Sequence, residues 1–292
     1  MRKTRTTFRG RSMSKQSGQK KPTKAEQADR HVLYQESVQF PEAEVDFMSK
    51  TFQKLRGRKA ISMKEDFCGT AYLATEWCKS DPERTAIGVD FDGPTLDWGR
   101  KHNLATAGDD VANRIQLIED DVRIKTDKVD VTCAFNFSYC LFEKRDELIN
   151  YFKLARESLN DDGILVLDLF GGTECADTLE EETELEDQNA TYIWEHVSFN
   201  PINNHMECAI HFEFDDGSRM DEAFTYCWRL WAIPEILELL EEAGYSKSRV
   251  YWEEYVESDD EDDDELEGTG EYYETTEVEN QESWMIYIVA EK

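Results

Sequence analysis

A chain of 292 residues with 64 Asp/Glu against 33 Lys/Arg carries a formal net charge of −31, so it repels phosphate backbones and nucleic acid is a poor candidate substrate. Its 39% hydrophobic and 12% aromatic content suffices for a substantial core, yet no apolar run approaches the roughly 18 residues of a membrane span. Seven scattered cysteines, odd in number, argue against a disulfide framework and for a reducing compartment; with no signal-peptide pattern, a cytoplasmic location is expected.

Residues 1–25 hold nine Lys/Arg and no Asp/Glu, in a setting of Ser, Thr, Gln and Gly. Residues 1–30 are therefore read as a basic disordered tail, ahead of a domain over 31–292. "FPEAEVDFMSKTFQKLRG" reads as a helix, with Pro41 in the first turn, Gly57 at the end, and Val45, Met48, Phe52 and Leu55 on one face. Strands and helices then alternate. "AISMKED" is a strand, "AYLATEWCKS" a helix, "TAIGVDFD" a buried-type strand and "GPTLDWGRKHNLA" a helix opened by Pro94. "RIQLIEDDV" and "VDVTCAFNF" are strands, "KRDELINYFKLARESL" a helix, "NDDG" a turn and "ILVLDLF" the most hydrophobic strand. Such alternation requires crossovers and a parallel sheet covered on both faces, with ligands outside the C-terminal strand ends.

The pattern changes near residue 190. "TYIWEHVSF", "HMECAIHFEF" and "RMDEAFTYCWRLW" read as antiparallel strands over 191–231, turning at Asn203–Asn204 and Asp215–Gly217. "IPEILELLEEAGY" is a short helix, and "SRVYWEEYV" and "SWMIYIVAEK" are closing strands. Residues 257–282, acidic and nearly free of aliphatics, are read as a solvated, mobile insertion, and "TLEEETELEDQ" as a solvated face.

Just after the first strand stands "KEDFCGTAYLA", a strand-to-helix turn with one glycine where dinucleotide-binding turns carry three. Asp90 ends the second strand 25 residues after Glu65, at a spacing close to the ~20 of ribose-binding acids, and its carboxylate can accept from both ribose hydroxyls. "EDDV", "FNFSYC" and "LNDDGILVLDLF" follow in order.

Over roughly residues 30–256 plus the last strand, this order resembles the class I S-adenosylmethionine-dependent methyltransferases. "EDFCGT" with "LYQESVQ" is similar to one bacterial-type subfamily. The resemblance implies an α/β, Rossmann-like, seven-stranded methyltransferase fold with an antiparallel strand insertion. It implies S-adenosyl-L-methionine as cofactor, a small-molecule substrate, and a hairpin of the last two strands. Glu65 takes the acidic place of the first motif and Gly69 the central glycine. Phe67 and Ala71 replace the outer glycines, which a cofactor without pyrophosphate tolerates. The implied cofactor contacts are Glu65, Phe67, Cys68, Gly69, Thr70, Asp90, Phe91, Asp121, Val122 and Asn136. Asp121 would meet the adenine amino group, the Val122 N–H a ring nitrogen, and Asn136 would line the methyl-transfer site. "DRHVLYQESVQFPEAE" would close over the cofactor as a lid, and the strands over 191–231 would cover the substrate.

Asn136 and Tyr34 are the catalytic candidates; Tyr34, Asp168 and Arg229 are the candidate substrate contacts. Each has a plainer reading: core packing for Tyr34, loop bonding for Asn136, a polar strand end for Asp168, an ion pair for Arg229 and a helix cap for Glu65. Cys68 reads as packing. His205-x-x-Cys208-x-x-His211 places its middle residue on the opposite strand face, so no metal is expected. The expected function is methyl transfer to N or O of a small molecule. The rivals are a catalytically silent scaffold docking a basic partner, and a nicotinamide-dependent oxidoreductase, against which the missing glycines speak. Oligomeric state is left open.

Overall fold

The computed structural model describes residues 21–257 and 266–292. Three helices precede the first strand: α1 (Lys24–Gln27), α2 (Arg30–Val38) and α3 (Pro41–Arg56). The reading of a disordered tail to residue 30 is corrected for residues 21–30. There α1 starts in a Thr23–Glu26 capping box, and Lys24 bonds Asp215 and Asp216 through its ammonium (2.6 Å) and its N–H (3.0 Å). Residues 1–20 lie outside the described residues. Pro41 opens α3, and Gly57 closes it in the left-handed region at φ 69°. Val45, Met48 and Phe52 are buried, as their spacing predicts.

The alternating region follows: β1 (Ser62–Asp66), α4 (Tyr72–Ser80), β2 (Thr85–Asp90), α5 (Gly93–Gly99), a π turn (Arg100–Leu104), α6 (Ala105–Ala107), α7 (Asp109–Ala112), β3 (Ile115–Glu119), β4 (Val129–Ala134), α8 (Arg145–Glu157) and β5 (Leu159–Gly171). The turn expected at 160–163 is instead a register break inside β5, between the Val129–Leu159 and Val131–Ile164 pairings. β6 (Glu180–Leu185), β7 (Ala190–Asn200), β8 (His205–Phe214), β9 (Arg219–Arg229), α9 (Ile233–Ala243), β10 (Lys247–Glu257), β11 (Leu266–Thr275) and β12 (Trp284–Glu291) complete the chain.

The larger sheet runs β11-β10-β12-β5-β4-β1-β2-β3, parallel from β3 through β5, with β12 antiparallel to β5 and β10 antiparallel to β12. The expected closing pair is therefore present. Residues 257–282 are not wholly the mobile insertion expected: β11 lies within them and pairs with β10 from outside. Aromatic rather than aliphatic burial holds it there, because Tyr272 packs on Phe47 (5.6 Å) and Tyr287 (4.6 Å). Residues 258–265 lie outside the described residues.

A second, four-stranded antiparallel sheet runs β6-β7-β8-β9. Its fourth strand, β6, is the segment read as a solvated face, and its glutamates are exposed although its backbone pairs with β7 from Glu180 to Leu185. The antiparallel strand insertion thus begins near residue 180 rather than 191. Two apolar layers cover the faces of the large sheet, and a third joins Leu33 of α2 to Ile210, Phe212 and Ala223 of the small sheet. Among the described residues no helix is long and apolar enough to cross a membrane.

Candidate functional site

The turn from β1 into α4 is wound tightly. Phe67, Gly69 and Ala71 all take positive φ, at 59°, 52° and 54°, so two non-glycine residues are held in a conformation costing about 1–3 kcal/mol each. Its neighbours fix it from several sides. The Asn103 amide donates to the Thr70 carbonyl (2.9 Å) and the Gln35 amide on α2 donates to the Thr70 hydroxyl (2.8 Å). A Cβ on Gly99 would lie 2.2 Å from the Thr70 carbonyl oxygen, so only glycine allows α5 to pack here. Cys68 is buried, its Sγ within 2.9 Å of where a Cβ on Gly88 would stand, and burial pushes its thiol pKa well up; it packs. Glu65 Oε2 accepts from the Ala74 N–H of α4 (2.9 Å), so this carboxylate joins strand to helix.

Asp90 stands directly beside that turn. Its Oδ2 accepts from the Gly69 N–H (2.8 Å) and its Oδ1 from the Asp92 N–H (2.9 Å). The Phe91 N–H bonds this carboxylate too, so a ligand would use the acceptor capacity that these three backbone donors leave. Phe91 next to it is 73% exposed, an apolar ring at the rim. After β3, the Val122 side chain is buried, while Asp121 is committed to Arg123 by contacts of 2.5 and 2.8 Å that hold its pKa down.

Beneath this loop lies a group that the sequence reading missed. Lys64 and Asp66, two apart on β1, share a face and form an ion pair of 2.6 Å with both side chains at most 1% exposed. Lys64 Nζ also donates to the Val122 carbonyl (3.0 Å), and the Tyr151 hydroxyl donates to Asp66 Oδ2 (3.0 Å). A charged side chain so deep in a parallel sheet is kept for what it ties together, here β1, α8 and the loop after β3.

After β4 the chain bends through Asn136 and Phe137, both at positive φ (53° and 55°). The cause is Asp168 at the end of β5, whose carboxylate receives the N–H groups of Phe137 (3.0 Å) and Asn136. Asp168 is buried and bound to this loop, which is the strand-end role weighed for it. Burial raises its pKa to about 7, and burial with Asp168 nearby raises that of half-buried Glu44 on α3 to about 8. In the unfolded chain these carboxyls titrate near their ordinary 3.8 and 4.5. The folded state therefore holds more protons across the interval, and the stability these groups confer, full below about pH 4, is lost as pH rises towards about 8. Glu44→Gln is expected to raise the melting temperature at about pH 8.5 and to change it little at about pH 5. Scanning calorimetry at both values checks this, and an unchanged midpoint at the higher pH refutes it.

Between α2, the end of the large sheet and the small sheet lies a cavity of about 360 Å³. Tyr34 and Asn136, the two catalytic candidates, both line it. The Tyr34 hydroxyl bonds that of Tyr226, its ring lies 4.7 Å from that of Phe224, and burial raises its pKa to about 12. Arg229 lies outside the cavity. Its guanidinium is 2.7 Å from Glu235 and 3.7 Å above the Trp231 ring, so the ion pair weighed for it is what forms. Sequence reading also missed the aromatic lining: Tyr192, Trp194 and His196 on β7, and Tyr226 and Trp228 on β9. The signal was present as a period of two, which puts alternate residues of a strand on one face.

In the segment read as metal-free, His211 is committed to Glu195 (2.8 Å) and to the Glu222 N–H (2.9 Å). A different set, His205, Glu207 and Cys227, brings ligand atoms within 4.8 Å of one another, with Glu207 and Cys227 exposed; His205 Nδ1 also faces Glu143 at 3.2 Å.

No family profile and no curated protein matches this chain in sequence. Solved structures do match in shape. An S-adenosylmethionine-dependent methyltransferase from Clostridium acetobutylicum superposes with TM-score 0.63 at 15% identity, over 89% of this chain and 96% of its own. The CcbJ methyltransferase from Streptomyces caelestis gives 0.62 at 17% identity, over 86% and 89%. CalS10, an amino pentose methyltransferase from Micromonospora echinaspora solved with S-adenosylmethionine bound, gives 0.61 at 12% identity, over 90% and 96%. With its strand order and its second, antiparallel sheet, the chain has the Rossmann-like fold of the S-adenosylmethionine-dependent methyltransferases.

Proposed function

We propose that this chain is a methyltransferase that uses S-adenosylmethionine and acts on N or O of a small-molecule acceptor. The observation that carries the reading is the junction of Asp90 with Gly69: an acid at the end of β2, pinned to a strained turn beside the exposed Phe91. The residues present fit the cofactor. Asp90 suits two adjacent ribose hydroxyls, exposed Phe91 offers a stacking face, and the buried Val122 fixes the loop that would meet the base. Asp121 would have to share its carboxylate with Arg123 to reach an adenine amino group. The solved relatives lend support, since CalS10 is an amino pentose methyltransferase and KedS8 a sugar N-methyltransferase.

Bound there, S-adenosylmethionine supplies an activated sulfonium methyl that a nucleophile takes in line. The chain's own work is then positioning and exclusion of water. Asn136, whose N–H is held by Asp168, lines the cavity just after the end of β4. Tyr34 covers the cavity from α2 and is tied to Tyr226. Gln35, one residue on, bonds Thr70 and so links the cover to the cofactor turn. Calorimetric titration with S-adenosylhomocysteine and with NAD tests the reading; binding of NAD alone, or of neither, overturns it.

The cover makes a further prediction. Tyr34→Ala is expected to lower turnover about tenfold or more while weakening S-adenosylhomocysteine binding about threefold at most, because the residue shapes the acceptor cavity rather than the cofactor turn. Equal losses in both measurements would place Tyr34 in the cofactor site instead.

A further inference from the structure

We propose that the acceptor is an amine, selected as a cation by the ring faces of the cavity and engaged through an N–H by His196. The proposal rests on the methyltransferase reading only in naming that amine as the acceptor.

The first argument is the wall. The Tyr226 and Trp228 rings lie 4.6 Å apart, Trp194 is 5.8 Å from Tyr226, Phe170 is 6.1 Å from Trp228, and Phe137 is 4.6 Å from Phe170. Aromatic faces carry the negative end of a quadrupole, and several converging on one space attract an ammonium group. The second argument is charge. Glu181, paired with Trp194 across β6 and β7, and Glu174 after β5 face the same space, and among the described lining residues none is Lys or Arg. An anionic acceptor would meet two like charges with no cation to hold it.

The third argument is an unpaired atom. His196 is 7% exposed and lines the cavity, yet its Nδ1 is buried with no hydrogen-bond partner among the described residues. The ring is bonded to the Asp177 backbone, which leaves the donor to its other nitrogen, and burial lowers its pKa. In the neutral ring the free nitrogen is then an acceptor, and a buried acceptor calls for a donor. A purely apolar ligand would leave it unsatisfied, whereas an amine N–H satisfies it. To react, the bound ammonium would first give up its N–H proton, which the free Nδ1 of neutral His196 is placed to accept. The methyl then goes to the freed lone pair, the sulfonium leaves as a neutral thioether, and the positive charge returns to nitrogen. The same ring faces therefore suit the bound ammonium and its methylated product.

The test uses the full chain and three probes, two of one shape and a third that exchanges one methyl for a hydrogen. Choline is the cation, 3,3-dimethyl-1-butanol its neutral counterpart, and N,N-dimethylethanolamine an ammonium that keeps an N–H. Binding is read by calorimetry and by tryptophan fluorescence. Choline is expected to bind about tenfold tighter than the alcohol, and N,N-dimethylethanolamine tighter than choline. Glu181→Gln, at an exposed position, should cut the preference for choline over the alcohol about threefold. His196→Leu should abolish the advantage of N,N-dimethylethanolamine over choline and leave choline binding intact. Equal affinity for choline and the alcohol, or no saturable binding of choline, overturns the proposal. A titration with S-adenosylhomocysteine separates the two readings. Its binding without a choline preference refutes the amine and leaves methyl transfer. A choline preference without it refutes methyl transfer and supports the amine cage.

Discussion

Asp90→Ala is expected to weaken S-adenosylhomocysteine binding about 30- to 1,000-fold, equivalent to about 2–4 kcal/mol. A carboxylate facing two neighbouring hydroxyls makes charge-assisted bonds that no water arrangement replaces once the site is covered. The same side chain pins Gly69 and Asp92 by their N–H groups, so alanine also releases the strained turn. Asp90→Asn keeps the shape but has one acceptor oxygen where there were two, and should fall between wild type and alanine. Calorimetric titration of each variant, with its melting curve recorded alongside, decides the matter. An alanine variant that melts like wild type and binds S-adenosylhomocysteine like wild type would remove Asp90 from the cofactor site.

The largest stability effect is expected at Lys64. Lys64→Met fits the same space but leaves the Asp66 carboxyl buried without its cation, to be kept as a lone charge or protonated, at a cost of about 3–5 kcal/mol. Burial already pushes the Asp66 pKa up, and Lys64 is the chief influence holding it down. The double variant Lys64→Met/Asp66→Asn removes the stranded charge and keeps an acceptor for the Tyr151 hydroxyl, so it should recover more than half of the loss. Urea unfolding of both variants supplies the comparison. A loss under about 1 kcal/mol in the single variant would mean that water reaches the pair. Because Lys64 also bonds the Val122 carbonyl, the single variant should loosen the loop beside Asp121 as well.

Much of this architecture was legible in the chain. Buried parallel strands have to be apolar on both faces, so "TAIGVD" and "ILVLDLF" stand out against their surroundings, and Pro41 with Gly57 punctuate α3. Edge strands are different. β6 and β11 are held by backbone pairing on one side, and their outward side chains need not be apolar, so "EEETEL" and the acidic run around "EYYET" gave no strand signal. Asp90 and Gly69 stand out in the sequence because a nucleoside-binding reading looks for an acid and a glycine after those strands, and the structure bonds one to the other. Lys64 was not, since a lysine on a strand reads as a solvent-facing residue and only the fold shows that both faces of β1 are covered. Glu44 and His196 escaped for a related reason: what makes them unusual is the company the tertiary fold brings.

The two glutamate-rich outer strands also govern how this protein behaves among copies of itself. A bare strand edge is a template for another chain, and hydrogen bonding across it is the first step towards aggregation. Along β6, Glu180, Glu181, Glu182 and Glu184 are all exposed, and β11, the edge strand of the larger sheet, carries exposed Glu271 and Glu274. A second copy docking edge to edge would set carboxylate against carboxylate, which antiparallel pairs do not tolerate well. That safeguard is electrostatic, and salt erodes it: the screening length falls from about 30 Å at 0.01 M to about 3 Å at 1 M. The fold itself rests on packing, so raising the ionic strength would leave each molecule intact while removing what keeps it apart from its neighbours.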